Sequence, residues 1–276
     1  RSSDLAAIPA ELLYVAGTTR PEKNESLTSV TLTDQFTASA TGFNSSFANC
    51  TALTEVKNLE KTAIVQLNDN EFDGDVALAT INVSKITTFG DYALQNCEAL
   101  TAVPLNSSAA ITLGDYTFAG TGLTKVTFPK DKVAAIPDGC FFDCAALAEV
   151  KWDAAEATLA TIGKQAFAGT ALAAVDIPAT APLGANADDI DVKAFAACDN
   201  LVTFKWNPAT NDADAFNLGK GVVEGSCIEV DLVEACTWIR TVRTACICQG
   251  STGSGTADVL KVVVPVVGIG LELKLT

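Results

Sequence analysis

The chain has 276 residues, 49% of them hydrophobic, with 33 acidic against 18 basic side chains for a net charge of −15, and it contains no histidine and no methionine. So large an acidic excess repels phosphate backbones and anionic bilayers, which argues against nucleic acid and lipid surfaces as partners. No window approaches the run of about 20 apolar residues that a membrane helix needs, and without histidine no Ser-His or Cys-His nucleophile system can be assembled.

In chain order, residues 1–26 read as a processed N-terminus and an N-terminal cap. From residue 27 one phrase recurs: an aromatic or leucine, then Cys or Gly, then Leu, then Val or Phe, then another apolar residue two further on. Its copies are Phe47-Cys50-Leu53-Val56, Leu94-Cys97-Leu100-Val103-Leu105, Phe118-Gly120-Leu123-Val126-Phe128, Phe141-Cys144-Leu147-Val150-Trp152, Phe167-Gly169-Leu172-Val175-Ile177 and Phe195-Cys198-Leu201-Phe204-Trp206. A weaker copy, Phe72-Asp75-Leu78-Ile81-Val83, fills the gap after the first. The anchoring leucines fall at 53, 78, 100, 123, 147, 172 and 201, a period near 24 residues. Such a period predicts a solenoid, because one unit cannot bury its own apolar side whereas stacked units share a continuous core.

Within a unit, an apolar residue stands five positions before the aromatic: Leu67, Phe89, Leu113, Ile136, Ile162 and Ile190. A polar turn follows it, as in Gly90-Asp91, Gly114-Asp115, Pro137-Asp138 and Gly163-Lys164, where Gly and Pro mark a change of direction. The Leu-x-x-Val-x-apolar stretch alternates as a half-buried strand does. Pro104, Pro129 and Pro178 lie at or near its end and keep it short. Asn58 takes a place where an inward apolar residue is expected, Asp75 takes the Cys or Gly slot, and an insertion runs from Pro178 to Asp188.

These residues resemble the BspA-like leucine-rich repeats, whose units run roughly Ile-Gly-x-x-Ala-Phe-x-x-Cys-x-x-Leu-x-x-Val-x-Ile-Pro. The stretch Ile162-Gly163-Lys164-Gln165-Ala166-Phe167-Ala168-Gly169-Thr170, continuing to Leu172, Val175, Ile177 and Pro178, carries the likeness. The resemblance implies a right-handed leucine-rich-repeat solenoid over residues 27–232, with a short β-strand plus a turn or short helix in each unit. It also implies a bacterial or protist surface protein that acts by adhesion or host-protein binding. In leucine-rich repeats the outward strand residues form rows down a concave face. Here those include Glu55, Lys57, Lys125, Thr127, Glu149, Lys151, Asp176 and Lys205, with Thr80, Asn82, Ala102, Pro104, Ala174 and Thr203 between them. Charges of both signs alternate there without an aromatic cluster, so no hot spot of the usual Trp, Tyr or Arg type stands out.

The cysteines fall into two sets. Cys50, Cys97, Cys144 and Cys198 share one slot in alternate units, with Asp75, Gly120 and Gly169 assigned to it between them. Strands lie about 4.8 Å apart, so equivalent positions two units apart are about 9 to 10 Å apart, too far for a disulfide. These four are expected to be free and buried, and Cys140, in the small-residue slot, is expected to be another core thiol. Cys227, Cys236, Cys246 and Cys248 instead crowd where the repeat fades. They are expected to make a disulfide-rich C-terminal cap over residues 233–276, with Cys246 and Cys248 each bonded to Cys227 or Cys236; a zinc site is the competing reading. The apolar stretch Val259 to Leu275 reads as two short strands that either cap the solenoid or pair with a neighbouring copy.

Three further features bear on function. Asn-x-Ser/Thr triplets occur at Asn24, Asn44, Asn49, Asn82 and Asn106, and read as those of a secreted or surface glycoprotein of a eukaryote, the alternative being a Thr-rich bacterial surface protein in which they have no role. Asp69, Glu71, Asp73 and Asp75 precede or flank Gly74 as in the start of a calcium loop, yet the glutamate that closes such a loop is missing, since Thr80 stands there; a solvated turn is the plainer reading. The cluster Asp188, Asp189 and Asp191 is open to the same two readings, and Gly250 to Thr256 reads as a linker. No nucleophile with a base, paired carboxylates or phosphate loop emerges, so neither catalysis nor a cofactor is expected. Two functions remain: an extracellular or cell-surface scaffold binding a host or matrix protein, and a self-assembling structural subunit of a coat or filament.

Overall fold

The computed structural model describes residues 25–32, 47–153, 158–177, 190 and 193–201, together with the backbone of strands at 203–206, 229–232 and 271–272. In chain order the strands are β1 (Ser29–Thr31), β2 (Glu55–Lys57), β3 (Gln66–Leu67), β4 (Thr80–Ile81), β5 (Thr88–Phe89), β6 (Lys125–Thr127), β7 (Ala135–Ile136), β8 (Glu149–Lys151), β9 (Thr161–Ile162), β10 (Ala174–Ile177), β11 (Thr203–Trp206), β12 (Glu229–Leu232) and β13 (Leu271–Glu272). The leucine segments supply the main parallel strands: β1, β2 and β4 form one sheet, β6 and β8 a second, and β10, β11 and β12 a third. Equivalent residues pair, as in Val30↔Val56↔Ile81, Val126↔Val150 and Val175↔Phe204. The apolar residue upstream of each aromatic supplies a second set of strands, with β3 beside β5 and β7 beside β9, and the bridges Thr88↔Thr112, Ile111↔Val133 and Ile162↔Ile190 extend it. At the C-terminal end β13 folds back antiparallel on β12, through Asp231↔Glu272 and Leu232↔Leu271.

Between these strands the aromatic segment forms a stack of turns. A short helix was one option for it; among the described residues, however, the helical segment is a 3-10 turn, Leu59–Lys61, which lies elsewhere. The backbone explains the difference. Residues two before and two after the aromatic are left-handed: Asn70, Tyr92, Tyr116, Gly139, Gln165 and Lys193 on one side, Asn49, Gly74, Asn96, Gly120, Asp143, Gly169 and Ala197 on the other. A continuous right-handed helix cannot contain them. Instead the N–H groups at these positions and at the aromatic donate to the next unit. Tyr92, Leu94 and Asn96 donate to the carbonyls of Asp115, Thr117 and Ala119, and Tyr116, Phe118 and Gly120 donate to those of Asp138, Cys140 and Phe142.

That geometry corrects the slot assignment. Gly120 and Gly169 occupy the left-handed position after the aromatic, where Asn, Asp and Gly carry the least steric cost. The slot beside the cysteines is filled by Thr121 and Thr170, whose hydroxyls lie 3.2 Å from Cys144 Sγ and Cys198 Sγ. Cys97, Cys144 and Cys198 each donate to the carbonyl of the preceding unit's aromatic, Phe72, Phe118 and Phe167, at 3.0–3.2 Å. Cys50, Cys97, Cys140, Cys144 and Cys198 are all free and buried, as their spacing predicts. Burial pushes the Cys50 thiol up to about 12 and the Cys144 thiol up to about 11, so these groups are inert at neutral pH.

The core is one column of side chains. Phe47 stacks on Phe72 at 5.4 Å, and Phe118, Phe141, Phe167 and Phe195 stack in succession at 5.1–5.4 Å, all nearly parallel. Leu53, Leu78, Leu100, Leu123, Leu147, Leu172 and Leu201 are completely buried beside them. Asn58, the polar residue at an apolar place, is left-handed, and its Nδ2 donates to the Leu32 carbonyl at 3.0 Å. The sequence phrase predicts a strand over Leu100-Val103-Leu105, but the chain has none there. Pro104 has no N–H to give, and the Leu105 N–H turns back onto the Val103 carbonyl at 3.1 Å, a tight turn around proline that leaves β6 with a ladder partner on the β8 side alone.

The aspartates at the turns follow the same logic. Asp69 Oδ1 accepts the N–H of Asp91, Asp91 Oδ1 that of Asp115, and Asp138 Oδ1 that of Lys164, at 2.8–2.9 Å. Each carboxylate thereby satisfies a turn N–H of the next unit. Burial, and then repulsion from Asp91 and Asp138, raises the Asp115 carboxyl above its ordinary value. The Asp115 carboxyl accepts the Asp138 N–H. Asp115→Asn retains that acceptor and removes the repulsion, so it is expected to raise stability by a few tenths of a kcal/mol, about the size of a surface charge pair, whereas Asp115→Ala is expected to cost about 1 kcal/mol. Urea melts at low and high salt check this: the advantage of Asp115→Asn should shrink as salt screens the row.

Candidate interaction face

Strand alternation turns Val56, Ile81, Val126 and Val175 into the core and leaves their neighbours outside. Lys57, Thr80, Asn82, Lys125, Thr127, Lys151 and Asp176 are exposed and Glu55 and Glu149 half-exposed. Lys205 lies on β11, level with Asp176. The register that sets the core also sets the charges. Lys125 pairs with Glu149 across the β6–β8 ladder, with Nζ to Oε2 at 3.1 Å, and Lys151 Nζ lies 2.8 Å from Glu149 Oε1. The Lys151 and Lys125 ammonium groups hold the Glu149 carboxyl below its ordinary value, and Glu149 in turn raises Lys151. At the other end Lys57 Nζ reaches Glu55 Oε1 at 2.6 Å. The face therefore presents neutralised pairs and threonines, where a partner gains from shape and hydrogen bonding more than from net charge.

Among the described residues, two breaks divide this face. The first is the strandless stretch at 101–105, where Thr101 to Asn106, Thr124, Lys125, Thr127 and Pro129 border a shallow groove of about 530 Å³. The second separates β8 from β10, which belong to different sheets. Beside it Val150 is only half-buried, and Trp152 stacks on Phe128 at 5.8 Å with its Nε1 buried and unpartnered.

The four carboxylates of the calcium-like turn are drawn to separate tasks. Asp69 is exposed and caps the next turn, Asp73 is half-buried, Glu71 is buried with Oε2 accepting the Asn68 N–H at 3.0 Å, and Asp75 is buried in the cysteine column. Among the described residues no group of three or more Cys, Asp and Glu is arranged to hold a metal ion. Of the triplet asparagines, Asn82 and Asn106 are exposed, whereas Asn49 is left-handed and half-buried, with its Oδ1 close over Gly74. Asn24 and Asn44, Asp188, Asp189 and Asp191, residues 1–24 of the N-terminal cap expected over 1–26, the Gly250 to Thr256 linker and Cys227, Cys236, Cys246 and Cys248 lie outside the described residues. Sequence reasoning missed the groove and the Asp75 environment. Pro104 inside an alternating run was the visible sign of the first, and an acid in a cysteine slot that of the second.

No curated protein sequence matches this chain. Among solved structures it is similar to a leucine rich cell surface protein from Faecalibacterium prausnitzii A2-165, with 21% identity, a TM-score of 0.52, and coverage of 78% of this chain and 51% of that one. It is also similar to a leucine-rich repeat protein from Bacteroides ovatus ATCC 8483, at 20% identity and a TM-score of 0.47, covering 68% of this chain and 57% of that one. The chain thus spans little more than half the length of either. No helix among the described residues is long and apolar enough to cross a membrane. A family profile described as BspA type Leucine rich repeat region matches six copies over residues 22–148 and 111–218, and with the stacked turns and parallel strands this places the chain in that leucine-rich-repeat family.

Proposed function

We propose that the protein is an extracellular or cell-surface scaffold that acts by contact with another protein, and that it is not an enzyme. The observation that supports this best is the outward face itself. Lys125 and Thr127 on β6 stand in register with Glu149 and Lys151 on β8, Glu149 pairs with both lysines, and Glu55 pairs with Lys57 on β2, with no nucleophile and base converging among them. The name of the Faecalibacterium prausnitzii neighbour supports a surface location. Host or matrix protein is the partner class this reading favours, at the face that includes Asp176 and Lys205. Exposed Asn82 and Asn106 would carry glycans if the chain passes through a secretory route that makes them, and the cysteines from 227 to 248 would be bonded there.

The second reading, a self-assembling structural subunit, draws on the run of backbone pairing that ends at β13, since a parallel stack can be continued by another copy at an exposed edge. Light scattering over a rising concentration series separates the two. A monomer at every concentration is the expected result for a recognition scaffold, and open-ended growth would replace that reading with the structural one. Truncation after Gly255 removes the strand that pairs with β12. Loss of folding identifies that segment as a cap, and loss of assembly with retained folding identifies it as a contact strand.

A further inference from the structure

Asp75 stands three residues after Phe72, in the slot that Cys50 fills one repeat earlier and Cys97 one repeat later. Its side chain is completely buried. Oδ1 accepts the Cys50 N–H at 2.7 Å, while Oδ2 has no hydrogen-bond partner. The titratable groups that face it are Asp73 on its own turn, Cys50 on the turn before and Cys97 on the turn after, and Glu71 is buried in the same turn. None is a cation, and no ion pair among the described residues involves Asp75. A carboxyl so placed gains nothing from ionising, because the anion would lose its hydration without a compensating charge. Burial raises it from 3.8 to about 9, against the opposing pull of the Cys50 N–H.

We propose that Asp75 is a pH-sensitive joint of the array: as the neutral acid it holds the first turn, residues 47–50, against the second, and as the anion it releases that turn and the N-terminal end of the outward face. The opening is local because each repeat contacts only its neighbours. The turn and the face are linked, since the Leu53 N–H donates to the Cys50 carbonyl at 2.8 Å and β2, carrying Glu55 and Lys57, follows directly. The sign follows from linkage. The fold keeps a proton that the unfolded chain gives up from about pH 4 upward, so the joint is strongest in acid and weakens with rising pH until it is lost through about pH 9.

The full chain contains its own reporters, because Cys50 and Cys97 flank Asp75 while Cys144 and Cys198 occupy the same column farther along. The experiment is thiol alkylation at pH 7 and pH 10, mapped by mass spectrometry, with each rate divided by that of the unfolded chain at the same pH. From pH 7 to pH 10 the protection of Cys50 and Cys97 is expected to fall at least about tenfold more than that of Cys144 and Cys198. Asp75→Asn stays neutral and is expected to abolish the difference. Asp75→Thr, with the residue that fills the slot at Thr121 and Thr170, serves if the amide does not fold. Equal loss at all four cysteines in the unsubstituted protein, or the same difference in a folded variant, would overturn the proposal.

Discussion

Replacing Leu172 with aspartate is expected to unfold several repeats at once. Leu172 is completely buried, at the start of the segment leading into β10, and shares its core with Leu147 and Leu201 on either side. A carboxylate there has no partner, and the cost of an unpaired buried charge, about 4 kcal/mol or more, exceeds what the contacts of one repeat can absorb. Because each repeat is stable only against its neighbours, the loss spreads along the stack. Lys151→Ala is the matched control. Its side chain is 54% exposed and, among the described residues, its ammonium pairs with Glu149, so the change should leave the melting temperature close to that of the unsubstituted protein. Thermal melts of the two variants check the facing of the strands directly, and the opposite order would mean that the alternation has been assigned to the wrong side.

The second large effect is expected at a glycine whose value lies in spacing. A methyl group on Gly114 would lie 2.5 Å from the carbonyl carbon of Gly90 and 2.6 Å from the N of Asp91, both atoms of the preceding turn's backbone. Neither can move without opening the ladder between the two turns. Gly114→Ala is therefore expected to cost about 3 kcal/mol, at the upper end of overpacking effects. Gly120→Asn provides the contrast. The backbone there is left-handed, a conformation that Asn49 and Asn96 already adopt in equivalent positions, and the nearest obstacle is the movable Oδ1 of Asn96 at 2.6 Å. Its cost should remain below about 1 kcal/mol, since asparagine tolerates that region. Denaturant midpoints of both variants test whether close stacking or backbone freedom explains each glycine.

The period, the buried leucines, the phenylalanine column and the unpaired repeat cysteines were all legible from residue spacing, because burial imposes the same demand on every repeat. The turn was legible only in part. Hydropathy cannot distinguish Gly120 as a member of the cysteine slot from Gly120 as a left-handed hinge one position earlier. The Asn49, Asn96 and Asp143 series was the clue, since those residues share its offset from the aromatic and its positive φ. Its place in the repeat puts Pro104 at the end of a strand, yet its missing N–H and the turn beyond it prevent that strand from forming. Of the outward face, the register and the pairing of Lys125 with Glu149 follow from repeat spacing alone. The groove and the neutral acid at Asp75 arise from departures from the repeat, which a consensus phrase averages away.

The interruption at 101–105 also bears on how the molecule would carry a pulling force. On the strand side the hydrogen-bonded sheet stops after β4 and resumes at β6, then stops again between β8 and β10. On the turn side the ladder from Phe72 through Phe167 continues across both places. Tension along the stack would therefore run through the turns, with the strand side yielding first at its two gaps. A protein anchored at one end and gripped at the other would flex toward one side only, and its outward face would widen at the groove before the core was breached.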